Sequence, residues 1–260
     1  MIGRKLLRFS PIALVLVAAA CGGGGGTKTV TVTETRTVTR TVIDTEFRLY
    51  FLRDGKVQPV QRGDFVPLAQ DQTLAAATAA LNQLTGSTQT IEEKIGLTSK
   101  LAKPDRWTLH HVDGELQVTG PPQPRGGLAQ LVYTLTQFPD VKAVEFEGKR
   151  YTRADLEDAT PLILVESPLP FQKVTSPLHA TGTANTFEAT FNYDLVGPDG
   201  KVIAHHFVTA TSGSGTRGTF DFTVPFTVSQ SGQGKLVVYE LSAKDGSRIH
   251  QVEIPLRLEP

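Results

Sequence analysis

The stretch GLAQLVYTLTQFPDVKAVEFE, residues 127–147, decides the fold of the first half of this 260-residue chain. Its apolar residues recur every three or four positions from Leu128 to Phe138, which is typical of an amphipathic helix. Pro139 cannot continue a helix, and residues 141–147 are typical of a strand. The stretch therefore predicts a helix that is followed at once by a strand.

Two β-hairpins are predicted upstream of this stretch. The pair Asp54-Gly55 separates strand-like residues 46–52 from 56–60, and Asp113-Gly114 separates 106–112 from 115–119. An Asp-Gly pair between two such runs is the strongest short-range hairpin signal.

A second helix is predicted over the alanine-rich residues 73–85, whose apolar side chains fall on one helical face. Thr73 is placed to cap its start and Gly86 to end it, and residues 87–105 are expected to form a loop. The order of elements predicts an α+β domain over residues 46–160. In it, two helices pack on one face of a mainly antiparallel sheet.

The motifs of this region resemble the GerMN domain of bacterial sporulation and germination lipoproteins. They are the hairpin about Asp54-Gly55, the helix at 74–84, Gly96-Leu97-Thr98-Ser99, Val112-Asp113-Gly114 and, most specific of all, Leu131-Val132-Tyr133-Thr134-Leu135-Thr136-Gln137. The resemblance covers residues 46 to about 150 and implies assembly contacts in the cell envelope, not catalysis. Thr134 and Thr136 are expected to satisfy backbone groups along a packed helix.

Residues 161–260 show no helical period, and turn signals separate seven short strand-like runs. The runs are 162–166, 178–184, 187–195, 202–211, 219–226, 236–242 and 249–258. Seven strands within about 100 residues are typical of an all-β immunoglobulin-like sandwich. Since no cysteine pair is available, the side chains expected to fill its core are Phe187, Phe191, Phe220, Phe222 and Tyr239.

This half resembles the immunoglobulin-like domain of bacterial spore germination proteins, which is often found after GerMN in one lipoprotein. The motifs that carry the resemblance are Ser167-Pro168, Ser176-Pro177, Thr181-Gly182-Thr183-Ala184, Phe187-Glu188-Ala189, residues 200–204 and residues 239–247. The resemblance implies extracytoplasmic binding and supplies no catalytic residue.

The first 21 residues predict where the protein works. A basic start precedes the apolar residues 12–17, and three alanines lead to Cys21, the single cysteine of the chain. Because a membrane span needs about 20 apolar residues, we expect residues 1–20 to be a cleaved signal peptide. Residues 17–21, VAAAC, resemble the lipobox of bacterial lipoproteins, which implies lipidation of Cys21 and anchoring to the outer face of the cell membrane. An ordinary signal peptide is the alternative.

Residues 21–45 are predicted to be a tether between that lipid and the domains. Five glycines follow Cys21, and threonine then occupies every odd position from 27 to 41. The even positions mix valine with charged residues, so neither face of a strand would be apolar. We expect an extended, solvated stalk instead of a paired strand.

The sequence predicts no catalytic, cofactor or metal site. The spacing of Gly213, Gly215 and Gly218 matches a dinucleotide motif, but a strand-like run follows where a helix is needed. Neighbours in His110-His111 and His205-His206 point to opposite faces of a strand and cannot share one metal ion. We expect one inward and one exposed ring in each pair.

Acidic residues raise the alternative of an envelope hydrolase. Glu145 and Glu147 are two apart in a predicted strand, and Asp155, Glu157 and Asp158 are clustered near the domain junction. A solvated acidic surface is the favoured interpretation. Trp107, the single tryptophan, is expected in the core and not as a stacking face.

The charge balance gives no basic excess that would favour nucleic acid, so we expect no nucleic-acid partner. The 26 basic residues fall to 23 when the signal peptide leaves, against 26 acidic residues. The sequence therefore predicts a non-catalytic, lipid-anchored envelope protein that binds a protein partner in spore-envelope assembly or germination. The contact is expected on edge strands or loops of residues 161–260, without individual residues assigned. The alternative ligand is cell-wall glycan.

Overall fold

The computed structural model describes residues 41–86, 88–103 and 107–260, and this part opens with a long antiparallel hairpin. Strands β1 (Val42–Arg53) and β2 (Lys56–Pro67) pair along their whole length. Asp54 and Gly55 have φ of 51° and 76°, as the predicted tight turn requires. The hairpin is longer than predicted, because residues 42–45 pair with β2 where a solvated stalk was expected.

Helices α1 (Gln72–Thr85) and α3 (Arg125–Leu135) confirm the two predicted helices. The cap of α1 differs from the expectation, since the Asp71 carboxylate accepts the Leu74 N–H at 2.8 Å and Thr73 lies inside the helix. A short helix, α2 (Thr90–Lys94), lies within the segment expected to be a loop.

Replacing Asp71 with alanine is expected to lower the free energy of unfolding by about 1 kcal/mol, because one N–H of the first turn loses its acceptor. Thr73→Ala is the matched control, and we expect it to change stability by less than about 0.5 kcal/mol. Urea unfolding followed by circular dichroism measures both. A larger loss in Thr73→Ala than in Asp71→Ala would show that the cap is misassigned.

A separate four-stranded sheet completes the first domain, where a single sheet was expected. Its strands, in spatial order, are β3 (Thr108–Val112), β4 (Glu115–Thr119), β5 (Ala143–Phe146) and β6 (Lys149–Tyr151). Strands β4 and β5 are parallel because α3 connects them as a crossover, and the other pairs are antiparallel. Strand β6 was not predicted and follows a turn at Glu147-Gly148, whose φ angles of 52° and 70° match those of the Asp-Gly turns.

The core of this domain lies where α1 and α3 contact both sheets. Tyr50 and Phe51 of β1 and Tyr133 of α3 are among its largest fully buried side chains. Trp107 packs against this core as expected, and its ring lies so close to Gly120 that a Cβ there would be 2.1 Å from it.

The second domain is the predicted all-β sandwich. Its strands are β7 (Ile163–Ser167), β8 (Lys173–Val174), β9 (Leu178–Ala184), β10 (Thr190–Val196), β11 (Val202–Thr209), β12 (Gly218–Val224), β13 (Gly232–Leu241) and β14 (Arg248–Leu258). One sheet has the order β11-β10-β13-β14-β8, and the other has the order β12-β9-β7.

Three of the five predicted core aromatics pack between these sheets. Phe191 meets Phe220 edge to face at a centroid distance of 5.0 Å, and Phe222 packs beside them. Phe187 was predicted wrongly and is 68% exposed, because residues 187–189 form a 3₁₀ turn before β10 instead of the first part of the strand. Tyr239 is buried, but on the outer face of its sheet, where the Arg248 guanidinium covers its ring at 4.1 Å.

Candidate binding site between the domains

The most family-specific segment, residues 131–137, closes the free edge of β1. The Gln137 side chain accepts the Arg48 N–H and donates to the Arg48 carbonyl, both at 2.7 Å, and the Thr134 hydroxyl accepts the Tyr50 N–H at 3.1 Å. Thr134 thus serves the backbone of a strand and not that of its own helix. Thr136 donates to the Val132 carbonyl at 2.8 Å, as expected for a helical threonine.

Arg153 joins the two domains. It lies in a 3₁₀ segment, Arg153–Ala159, and its guanidinium donates to Glu166 of β7 at 2.8 Å. The Tyr50 hydroxyl donates to the same carboxylate. The guanidinium carbon lies 5.3 Å from the centroid of the Tyr50 ring and 4.8 Å from that of Tyr133. Arg153 therefore holds one domain's aromatic cluster against the other domain's carboxylate.

Burial and charge oppose each other at this ion pair. Burial acts to raise the pKa of Glu166, but the charge of Arg153 and hydrogen bonds from Tyr50 and Arg153 outweigh it and hold the pKa below its ordinary 4.5. Burial raises the pKa of the Tyr50 hydroxyl far above its ordinary value. Glu166 is thus charged, and Tyr50 is a neutral donor, at neutral pH.

A second ion pair holds the segment between the domains. Arg217 donates to both oxygens of Glu157 at 2.8 Å and to the Pro161 carbonyl at 2.8 Å. Arg217 belongs to the glycine-rich motif, which is a loop leading into strand β12 and not into a helix. The predicted interpretation as a loop is confirmed, and its arginine serves the domain junction.

A cleft of about 700 Å³ lies between the domains, next to these ion pairs. Its walls are the β1–β2 turn, the segment that joins the domains, and β14. The lining residues are Arg53, Asp54, Lys56, Val57, Gln58, Glu157, Asp158, Thr160, Pro161, Leu162, Asn185, His250, Gln251 and Val252.

Gln58 is the most unusual polar group of the cleft. The residue is only 4% exposed, and within the described part of the chain its side-chain amide makes no hydrogen bond. Its amide atoms keep some access to solvent through the cleft, so a ligand there can bond the amide in place of water. His250 also lines the cleft; it has a φ of 53°, and its Nδ1 is 2.6 Å from the Glu240 carboxylate.

The acidic residues considered for a hydrolase have partners instead. Glu157 bonds Arg217, Asp158 accepts Arg125 Nε at 3.0 Å and 3.1 Å, and Asp155 accepts the Thr152 N–H at 2.8 Å. The Arg125 hydrogen bonds hold the pKa of Asp158 below its ordinary value. Glu145 and Glu147 do not share a strand face, because Glu147 lies in the turn after β5.

The two histidine pairs behave differently. His110 is exposed and His111 turns inward to Asp71, 2.9 Å away, as expected. The expectation is wrong for His205-His206, since both residues are exposed on β11. Across residues 41–86, 88–103 and 107–260, no three His, Cys, Asp or Glu side chains are grouped as a metal site would need.

The predicted lipid attachment residue, Cys21, lies outside the described residues, as do the signal peptide and residues 21–40 of the stalk. No helix in the described part of the chain is long and apolar enough to cross a membrane.

Sequence comparison agrees with both resemblances. Residues 48–152 match the family described as sporulation and spore germination. Residues 162–247 match the family described as the immunoglobulin-like domain of bacterial spore germination. The comparison with curated proteins found no match. The chain therefore carries a sporulation and spore germination (GerMN) domain followed by an immunoglobulin-like domain of bacterial spore germination.

Proposed function

We propose that this protein is a non-catalytic, lipid-anchored binding protein of the bacterial envelope, which holds a protein partner during spore-envelope assembly or germination. The observation that carries this proposal is the cleft, because both germination domains form its walls. A ligand in the cleft touches both domains at once. Lipid on Cys21 keeps the binding unit at the outer face of the membrane.

The free edge of β14 favours an extended peptide as the bound segment. The Glu253 carbonyl accepts from Arg53 at 3.1 Å, and the Pro255 carbonyl accepts the Phe171 N–H at 2.6 Å, so the backbone of these residues points away from β13. Gln251 lies two residues before Glu253, beside a register shift between β13 and β14, and lines the cleft. Its backbone groups can pair with an added strand, while Gln58 bonds a peptide amide.

Catalysis and glycan binding have less support. Glu157 and Asp158, the carboxylates of the junction that line the cleft, already pair with arginines, which leaves no free pair to flank a substrate bond. Among the described residues, no Phe, Tyr or Trp lines the cleft, so a sugar ring finds no aromatic face from them there.

A photo-crosslinking residue in place of Gln251 tests this proposal in intact cells. We expect illumination to attach the protein to one protein partner. Gln117 is the matched control site, because both glutamines are exposed strand residues that hydrogen-bond a glutamate. The same product from position 117, or attachment to cell-wall glycan alone, would contradict a peptide-binding cleft.

Combining Gln58→Leu with the crosslinking residue at position 251 distinguishes a partner bound in the cleft from a protein that is merely nearby. Leucine has a similar volume but cannot bond an amide, so we expect the crosslinked product to fall about tenfold, the effect of about 1.4 kcal/mol. An unchanged yield would remove Gln58 from the site.

A further inference from the structure

Strand β11 forms one edge of the five-stranded sheet and pairs only with β10. Its eight residues, VIAHHFVT, include no proline and no acidic or basic residue other than its two histidines. A bulge near its start leaves residues 204–209 in regular register with β10. Phe207 is 57% exposed on this strand. Long apolar edges of this kind pair with other strands unless something blocks them.

The other edges considered among the described sheets are short, carry a charge or are covered in part. Side chains of residues 131–137 cover part of β1, as described above. β8 and Arg53 cover parts of the edge of β14, and β12 carries Asp221. β3, which also has no acidic or lysine residue, is only five residues long. Among the described edge strands, β11 thus has the longest run without charge or proline.

The backbone of β11 is oriented for pairing. The Ala210 N–H donates to the Ala189 carbonyl at 2.8 Å, so even-numbered residues of β11 face β10. By alternation, His205 and Phe207 direct their backbone N–H and C=O groups outward. These are the groups that a further strand would bond.

The sequence of the regular part is complementary to itself. Residues 204–208 read Ala, His, His, Phe, Val, which is aliphatic, aromatic, aromatic, aromatic, aliphatic in either direction. Antiparallel pairing about a two-fold axis at His206 sets Ala204 opposite Val208 and His205 opposite Phe207. Side chains of the same kind thus face each other, which stabilises a pair of strands.

We propose that β11 pairs with β11 of a second copy of this chain. The two five-stranded sheets then form one continuous sheet across the dimer. Each cleft lies at β14, which β10 and β13 separate from β11, so pairing leaves both clefts open. This inference does not depend on what the cleft binds.

Sedimentation equilibrium of Phe207→Lys tests the dimer in the full chain with Cys21→Ser, which removes the single thiol. Lysine on an edge opposes strand pairing without entering the core. We expect the Cys21→Ser parent to dimerise with rising concentration and Phe207→Lys to stay monomeric. Phe65→Lys, at a phenylalanine of similar exposure in the first domain, is the control and should dimerise like the parent.

A single cysteine at the axis tests the register. His206→Cys in the same background would face its own copy at a Cα distance of about 4.5 Å, which is within disulfide range. We expect rapid oxidation to a covalent dimer, and slow oxidation for Thr223→Cys, an exposed position on β12. A monomeric parent, a dimer that Phe207→Lys does not disrupt, or equal oxidation of the two cysteine variants would overturn the proposal.

Discussion

Replacing Arg153 with alanine is expected to lower the free energy of unfolding by about 3–5 kcal/mol. The substitution leaves the Glu166 carboxylate, only 15% exposed, without its cation. It also removes the guanidinium that lies over the rings of Tyr50 and Tyr133 and donates to the Thr136 hydroxyl at 2.9 Å. Breaking one partner of a buried ion pair costs much more than the pair itself contributes, because the remaining charge is desolvated.

Arg150→Ala is the matched control three residues away. Arg150 also bonds a glutamate, Glu115, but both side chains are substantially exposed. We expect that loss to stay below about 1 kcal/mol. Urea unfolding followed by Trp107 fluorescence reports on the first domain, and circular dichroism reports on the whole chain. Equal losses of unfolding free energy in Arg153→Ala and Arg150→Ala would contradict the role of Arg153 in holding the two domains together.

The ion pair also makes stability depend on pH. The folded-state pKa of Glu166 lies below its ordinary 4.5, so the folded protein favours the carboxylate more than the unfolded chain does. Its contribution is therefore complete above about pH 4.5 and is lost as the pH falls through the lowered value. In Glu166→Gln, the contribution of this carboxylate to the fall in unfolding free energy at acid pH should be absent. If the free energies of unfolding of the wild-type protein and of Glu166→Gln fell in parallel as the pH is lowered, Glu166 would not be the source of this pH dependence.

Replacing Cys21 with serine is expected to move the whole protein from the membrane fraction to the soluble extracytoplasmic fraction. Serine cannot carry the thioether-linked lipid, and each methylene of a lost acyl chain removes about 0.8 kcal/mol of membrane binding. Cell fractionation with mass spectrometry of the N-terminal peptide measures the change. Gly24→Ser, three residues along, is the control and should stay lipidated. Membrane retention of Cys21→Ser at the parental level would exclude the lipid anchor.

Local signals predicted the elements of this fold well where one or two residues decide the geometry. Asp54-Gly55 and Asp113-Gly114 both form tight turns with positive φ, as predicted. Glu147-Gly148 adopts the same backbone but was missed, because glutamate is not a typical residue there. The cap of α1 was predicted wrongly as Thr73, since the Asp71 carboxylate, two residues earlier, accepts the Leu74 N–H.

The residues of the candidate site could not be found in the same way. Tyr50 and Glu166 are 116 positions apart, and neither has a local pattern that marks it. Gln58 looks like an ordinary solvent-facing strand residue in the sequence. It becomes a candidate only because the tertiary structure places it in the lining of the cleft.

By itself, the sequence determined the two domain classes, the order of most elements and the families to which the domains belong. These depend on hydrophobic periodicity, turn chemistry and short motifs, all of which act within a few residues. Only the tertiary structure decided that the first domain has two sheets, that Arg153 and Arg217 join the domains, and that a cleft lies between them. Those features depend on which distant side chains share one buried volume, where an unpaired charge or amide is costly and must find its partner across the fold.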